Sequence, residues 1–434
     1  MTIRTQTLWP AAVLVALFML LTLPMAGSER AGASESFDER AHHLPLIVTF
    51  AVQWPAFDVA SYNAAMTPGY HIAMAAVYRL SGRSVTAVRI ANGVLALALA
   101  LVVLRLAQTF VTPWTGLALT LPLVCSPYFL GSAIWLTTDN SALLLVTIVL
   151  GDVLRHRATS ARTLWRGVVS AAAVLVRQVS VWIVAPVALS ALSEWRSRGW
   201  AAFTPVVIAT IVASVAPLGV AIAFFLIWNG LTPPVFQSQH ASGPDPATPI
   251  AALALAGVYG FFFAGPRAVR EELRHPTSVT LAAVVVVAGI IIPSSFDRDA
   301  GRWGGWVWEL VRVAPVVSDR SIVLAALAPL GVFVIGALGR RAAAAGYTRE
   351  AMMVLGALVM WLAVQTFNSQ AWQRYLEPFL LVALTALTAF GLGQHARPST
   401  VARARVRIVV LAALLLTIDA ATMYGPAWWR LVNP

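Results

Sequence analysis

The sequence predicts an all-α, polytopic membrane protein with about thirteen transmembrane helices. Three observations carry that prediction. The chain of 434 residues is 59% hydrophobic and only 11% charged, with a mean hydropathy of +0.78, which excludes a soluble globular or disordered chain. Its apolar runs are long and rich in Ala, Leu and Val, where a β-barrel would need short alternating ones. Its arginines then sort to one side of the predicted topology, as cytoplasmic loops require.

In chain order, the apolar run from Trp9 to Met25 is read as an uncleaved first span. The segment 26–88 is the first external loop. Within it, Ile72 to Leu80 is too short to cross and is expected to lie in the interface. The further spans run from Ile90 to Leu106, Trp114 to Leu130, Ser141 to Val153, Gly167 to Val176 and Val181 to Leu192. They continue with Phe203 to Trp228, Ile250 to Ala264 and Val279 to Pro293. Ile322 to Leu338, Met352 to Thr366, Leu376 to Leu392 and Ile408 to Met423 complete the set. The whole of 1–434 is expected to form one integral membrane domain.

No lysine occurs, so all 30 basic residues are arginine. With the N-terminus cytoplasmic, 18 of them fall inside and 12 outside, while 13 of the 18 acids fall outside. Crossing the membrane with 72–80 would reverse every later loop. The net charge of +12 therefore reports topology; a nucleic-acid binder would gather it on one face. Lone Cys125 excludes an intramolecular disulfide and a cysteine metal site. Without lysine there is no phosphate-binding glycine loop of the ATPase kind, and the seven histidines lack metal-ligand spacing.

The same topology collects the polar residues on the external face. Asp38 and Glu39 with His42 follow the first span, and a carboxylate pair beside a membrane can supply a general base or hold a cation. Asp139 is expected to cap a helix starting at Ser141, or to serve as a further carboxylate facing Asp38. Arg177 and Gln178 interrupt an apolar run, and arginine there costs about 2.5–3.5 kcal/mol at mid-depth. Its planar fork suits a phosphate, and Arg374, beside Tyr375, repeats that setting. His240 lies on a Pro- and Gly-rich external loop. Trp303, Trp306 and Trp308 form either an interfacial anchor belt or a surface for sugar rings.

The order of these motifs resembles the glycosyltransferase C superfamily, and most closely the dolichyl-phosphate-glucose α-1,2-glucosyltransferase family. The resemblance runs through Asp38-Glu39-x-x-His42, Thr67-Pro68-Gly69, Arg89-x-x-Asn92 and Thr138-Asp139. Arg177-Gln178, the loop from Asn229-Gly230 to His240, and Arg374-Tyr375 with Pro378 complete it. Each motif is weak alone, but seven in order cover most of the chain. The lysine-free, Ala-rich composition points to a prokaryotic relative with a polyprenyl carrier.

The resemblance implies an inverting transfer of glucose or another hexose from a polyprenyl-phosphate-linked donor to a lipid-linked or cell-envelope glycan. Asp38 would be the base, Glu39 and Asp139 would orient base or acceptor, and Arg177, His240 and Arg374 would bind donor phosphate. His42, Gln178, Trp303 and Tyr375 would contact substrate. No cofactor is required, although Asp38 and Asp139 could hold a divalent cation. The expected partners are the lipid-linked donor, a glycan or lipid-linked acceptor and membrane lipid, with no nucleic acid, in the cell membrane. A carrier of lipid-linked sugars, or a polymerase or ligase of lipid-linked oligosaccharides, are the alternative readings.

Overall fold

The computed structural model describes residues 3–26, 34–198, 200–238, 244–294, 304–368, 370–393 and 396–424. Helix α1 (Ile3–Ala26) is followed by α2 (Ser34–Asp38), a π-helical turn (Glu39–His43) and α3 (Leu44–Gln53). Next come α4 (Gly69–Leu80), α5 (Val85–Gln108), α6 (Pro113–Val124), α7 (Pro127–Ile134), α8 (Asp139–Arg155) and α9 (Ser160–Val176). A 3₁₀ turn (Gln178–Ile183) leads into α10 (Val184–Arg198), α11 (Trp200–Trp228), α12 (Pro234–Gln237), α13 (Ala247–Ala264), α14 (Pro266–Glu272) and α15 (Pro276–Ile291). The last part holds α16 (Trp306–Val313), a two-residue strand pair at 316–317 and 320–321, α17 (Ile322–Ala344), α18 (Thr348–Gln365), α19 (Gln373–Leu392) and α20 (Pro398–Asp419).

Among the described residues, eight helices are long and apolar enough to cross a bilayer, or up to ten if α6 with α7 and α14 with α15 each form one broken span. Each of the thirteen predicted spans falls on one of these helices or on α8, α9 or α10. Those three are 17, 17 and 15 residues long, shorter than a typical crossing. The predicted interfacial helix is present as α4. Its 12 residues reach about 18 Å, well short of an apolar layer of about 30 Å.

The chain forms two compact units. The first contains 1–103, 124–241 and 416–434, and the second contains 104–123 and 242–415. In the first unit, Leu46, Ile47 and Phe50 of α3 and Tyr70 and Met74 of α4 share a core with Trp228 of α11. The segment between α1 and α5 is thus folded onto its own unit. Trp228 fixes it further by donating from its ring nitrogen to the Val59 carbonyl at 2.9 Å.

The second unit is built around α19, nearly every residue of which is buried. A helix that is apolar all round belongs inside a bundle. Packed beside it, α13 and α17 cross where Gly331 faces the backbone of Leu253, and a Cβ on that glycine would collide with the Leu253 carbonyl. Small residues at such a crossing let two helices approach closely in lipid, where no hydrophobic drive joins them.

Candidate active site

The stretch from Ser132 to Thr138, which runs from the last turn of α7 to the start of α8, is buried along its whole length. A buried loop must find partners for its backbone groups. Arg89 and Asn92, three residues apart on one face of α5, organise that supply. The Asn92 amide donates to the carbonyls of Ser132 (2.9 Å), Ala133 (3.3 Å) and Trp135 (3.0 Å), and its oxygen accepts from the Tyr70 hydroxyl at 2.9 Å. Arg89 donates from Nε to Glu39 Oε1 at 2.9 Å, and Glu39 Oε2 accepts the Leu136 amide at 2.8 Å.

Glu39 is fully buried, and both its oxygens are engaged. It holds the frame, through an ion pair whose buried charges satisfy each other. Asp38, one residue earlier and partly exposed, begins the π-helical turn that Glu39 opens. Single π turns inside helices carry an extra residue and recur at functional sites. The Leu136 bond also draws the carboxylate pair toward the segment that starts α8.

Asp139 is the first residue of α8 and Thr138 occupies the capping position, so the helix starts two residues before the Ser141 expected from sequence. A carboxylate there favours the helix N-terminus electrostatically. It is ion-paired with Arg177, with both side chains about a tenth exposed. Arg177 sits in extended backbone between the end of α9 and the 3₁₀ turn, so the predicted interruption is real. The pair leaves Arg177 at a chain break with a carboxylate orienting it.

Gln178 is engaged with the backbone of 65–67 and of Leu231. Its amide donates to the carbonyls of Ala65 (2.8 Å) and Leu231 (3.1 Å), and its oxygen accepts the Thr67 amide at 3.2 Å. Thr67 adds a bond from its hydroxyl to the Val174 carbonyl at 2.7 Å. Thr67-Pro68-Gly69 is thereby clamped to the end of α9. Gly69 is required there because a Cβ would lie 2.7 Å from the Leu175 carbonyl oxygen.

His42 lies edge-on to Phe37 and Phe236, at 6.1 and 5.3 Å between ring centres. Its Nδ1 is buried with no hydrogen-bond partner. His43 and His71 stack at 5.1 Å and share a 2.8 Å hydrogen bond between Nδ1 and Nε2. Burial first, and then His43, holds His71 well below the usual imidazole range. The side-chain oxygens of Thr137, Thr138, Asn140 and Ser141, on either side of Asp139 in sequence, are buried without partners among the described residues. The signal was present as Thr-Thr-Asp-Asn-Ser between two apolar runs. Such a cluster of unsatisfied groups needs water or a polar ligand.

In the second unit, Arg374 is buried and lies over the rings of Trp372 (5.2 Å) and Tyr375 (4.9 Å), and its Nη2 donates to the Tyr375 hydroxyl at 2.9 Å. Tyr375 thus positions Arg374. Nearby Glu377 is fully buried and accepts from the Tyr259 hydroxyl and, at 2.7 Å, from the Gln373 amide. Trp308 is buried and donates to the Ala371 carbonyl at 3.1 Å, so it braces α19 instead of anchoring in lipid headgroups. Among the predicted site residues, Asp38, Glu39, His42, Asp139, Arg177 and Gln178 belong to the first unit and Arg374 and Tyr375 to the second. His240 and Trp303 lie outside the described residues.

No protein-family model and no curated protein matches the chain. Among solved structures, it is similar to ArnT from Cupriavidus metallidurans bound to undecaprenyl phosphate. That overlap has a TM-score of 0.41 and 16% identity over 90% of this chain and 78% of the other. The apo form of the same protein gives 0.39 and 17%, over 88% and 78%. Overlaps this loose leave the chemistry to be argued from the residues themselves.

Proposed function

We propose that the chain is an inverting glycosyltransferase using a polyprenyl-phosphate-linked hexose as donor, on the external membrane face with the N-terminus cytoplasmic. The observation that carries the reading is the partly exposed Asp38 at a π-helical turn, beside a Glu39 whose oxygens are fully committed. One carboxylate of the pair builds the frame, and the other is presented at the turn. In the proposed reaction, Asp38 takes the proton of an acceptor hydroxyl as its oxygen attacks the anomeric carbon. The new carbon–oxygen bond forms as the bond to the lipid phosphate breaks, inverting that carbon and releasing polyprenyl phosphate.

Charge then builds on the leaving phosphate. Arg177 is the candidate to meet it, with Asp139 aiming its guanidinium. The unsatisfied hydroxyls around Asp139 suit sugar hydroxyls in the same neighbourhood. The acceptor is proposed to be a lipid-linked or cell-envelope glycan.

The test is transfer by purified protein from a panel of radiolabelled polyprenyl-phosphate sugars to extracted membrane lipids. Asp38→Asn is expected to lower transfer by about 10²–10⁴-fold while folding normally, the usual contribution of a general base. An Asp38→Asn protein with full activity would overturn the assignment. Donor binding without product, together with flux across liposomes, would favour a carrier instead.

A further inference from the structure

A cavity of about 540 Å³ lies in the second unit among the ends of α17 and α19 and the starts of α18 and α20. Three arginines from separate stretches line it: Arg341 from α17, Arg397 just before α20, and Arg407 within α20. Tyr347 and Phe263 supply aromatic wall, and among the described residues no carboxylate lines it. The bland explanation is that these arginines cap a helix. Arg407 donates from Nε and Nη2 to the carbonyls of Phe262 (3.0 Å) and Phe263 (3.4 Å), and Arg341 donates from Nη1 to Ala264 at 3.0 Å. Those are terminal carbonyls of α13, where a cation is favoured.

Capping accounts for part of the charge and leaves the rest. Arg407 Nη1 has no partner among the described residues, nor has the Arg397 side chain. Arg341 and Arg403 place like charge beside Arg407. The one acid in reach, Glu271, stands 3.6 Å from Arg341 and is shared with Arg267 at 3.2 Å. Thr388 adds an independent sign. Its residue is 3% exposed, it lines the cavity, and its hydroxyl oxygen is buried with no partner among the described residues. A buried hydroxyl left unsatisfied is costly unless something occupies the space before it.

We propose that this cavity is a binding site for a phosphate monoester, as carried by an anionic lipid headgroup, with Arg341, Arg397 and Arg407 neutralising the charge and Thr388 donating to a phosphate oxygen. Basic pockets between membrane helices take such headgroups. The site is built from residues other than those proposed for sugar transfer, and it stands whether or not that reading does.

The test uses the full chain in neutral detergent, titrated by calorimetry with dioctanoyl phosphatidic acid, with inorganic phosphate, and with dioctanoylglycerol as the phosphate-free probe. Phosphatidic acid is expected to bind and dioctanoylglycerol not. Arg397→Ala and Thr388→Val are each expected to weaken binding by about tenfold, as loss of a charge-assisted contact should. Arg397 is exposed, so its variant tests the site without disturbing packing. Inorganic phosphate binding as tightly, with the same variant losses, would keep the site and make free phosphate its ligand. Binding unchanged in both variants, or no binding of either phosphate probe, would overturn the proposal.

Discussion

Glu39 and Arg89 meet with the carboxylate wholly out of solvent, whereas Asp139 and Arg177 meet with both side chains about a tenth exposed. Both pairs lie in the first unit and both join an acid to an arginine. In the first pair the second carboxylate oxygen is consumed by the Leu136 amide, so the pair is closed. The second sits at a helix start and a helix break, next in sequence to hydroxyls that lack partners among the described residues. The difference teaches that similar acid–arginine pairs are closed off or left open to a further polar group according to how completely their surroundings satisfy them.

Breaking the closed pair is expected to give the largest effect. Arg89→Ala strands a buried carboxylate and should cost about 3–5 kcal/mol, measured by denaturation in mixed micelles. A loss below about 1 kcal/mol would show that Glu39 is solvated after all. Opening the second pair should act mainly on rate. Arg177→Ala is expected to lower transfer by about 10²-fold with a smaller change in stability, and equal losses in both would return it to scaffold.

A third substitution tests the clamp that holds the external loop to α9. Gly69→Ala forces a Cβ against the Leu175 carbonyl and should destabilise by about 1–3 kcal/mol. An unchanged melting profile would mean that the loop moves aside.

The smallest effect concerns pH. Because His71 is held below its usual range, the unfolded chain binds a proton there more readily than the folded one. Stability should therefore be full above about pH 6.5 and decline as pH falls below it. His71→Phe should flatten that slope, and an unaltered slope would locate it elsewhere.

Much of this was legible in the chain. Apolar runs are local, so all thirteen predicted spans land on helices, and Pro68-Gly69 with Ser81-Gly82 bracketed α4 correctly. The polar motifs were legible as positions, but their partners were not. Glu39 and Gln178 read as site residues because a polar side chain in an apolar setting invites that reading. Their partners are remote: Arg89 is 50 residues from Glu39, Leu136 is 97 away, and Gln178 is 111 from Thr67. No local pattern announces which distant backbone group a side chain will satisfy.

By itself, then, the sequence determined the solvent this protein folds in and the helices it forms. Burying apolar surface and satisfying backbone groups within a segment are both decided by neighbouring residues. It also determined where charge would be scarce enough to matter. Only the tertiary structure decided that Glu39 closes a frame while Asp38 is presented at the π-helical turn. It alone aimed Asp139 at Arg177 and gathered three arginines and Thr388 around one cavity. Those outcomes depend on which groups from far along the chain arrive to share a hydrogen bond, and that is fixed when the helices pack.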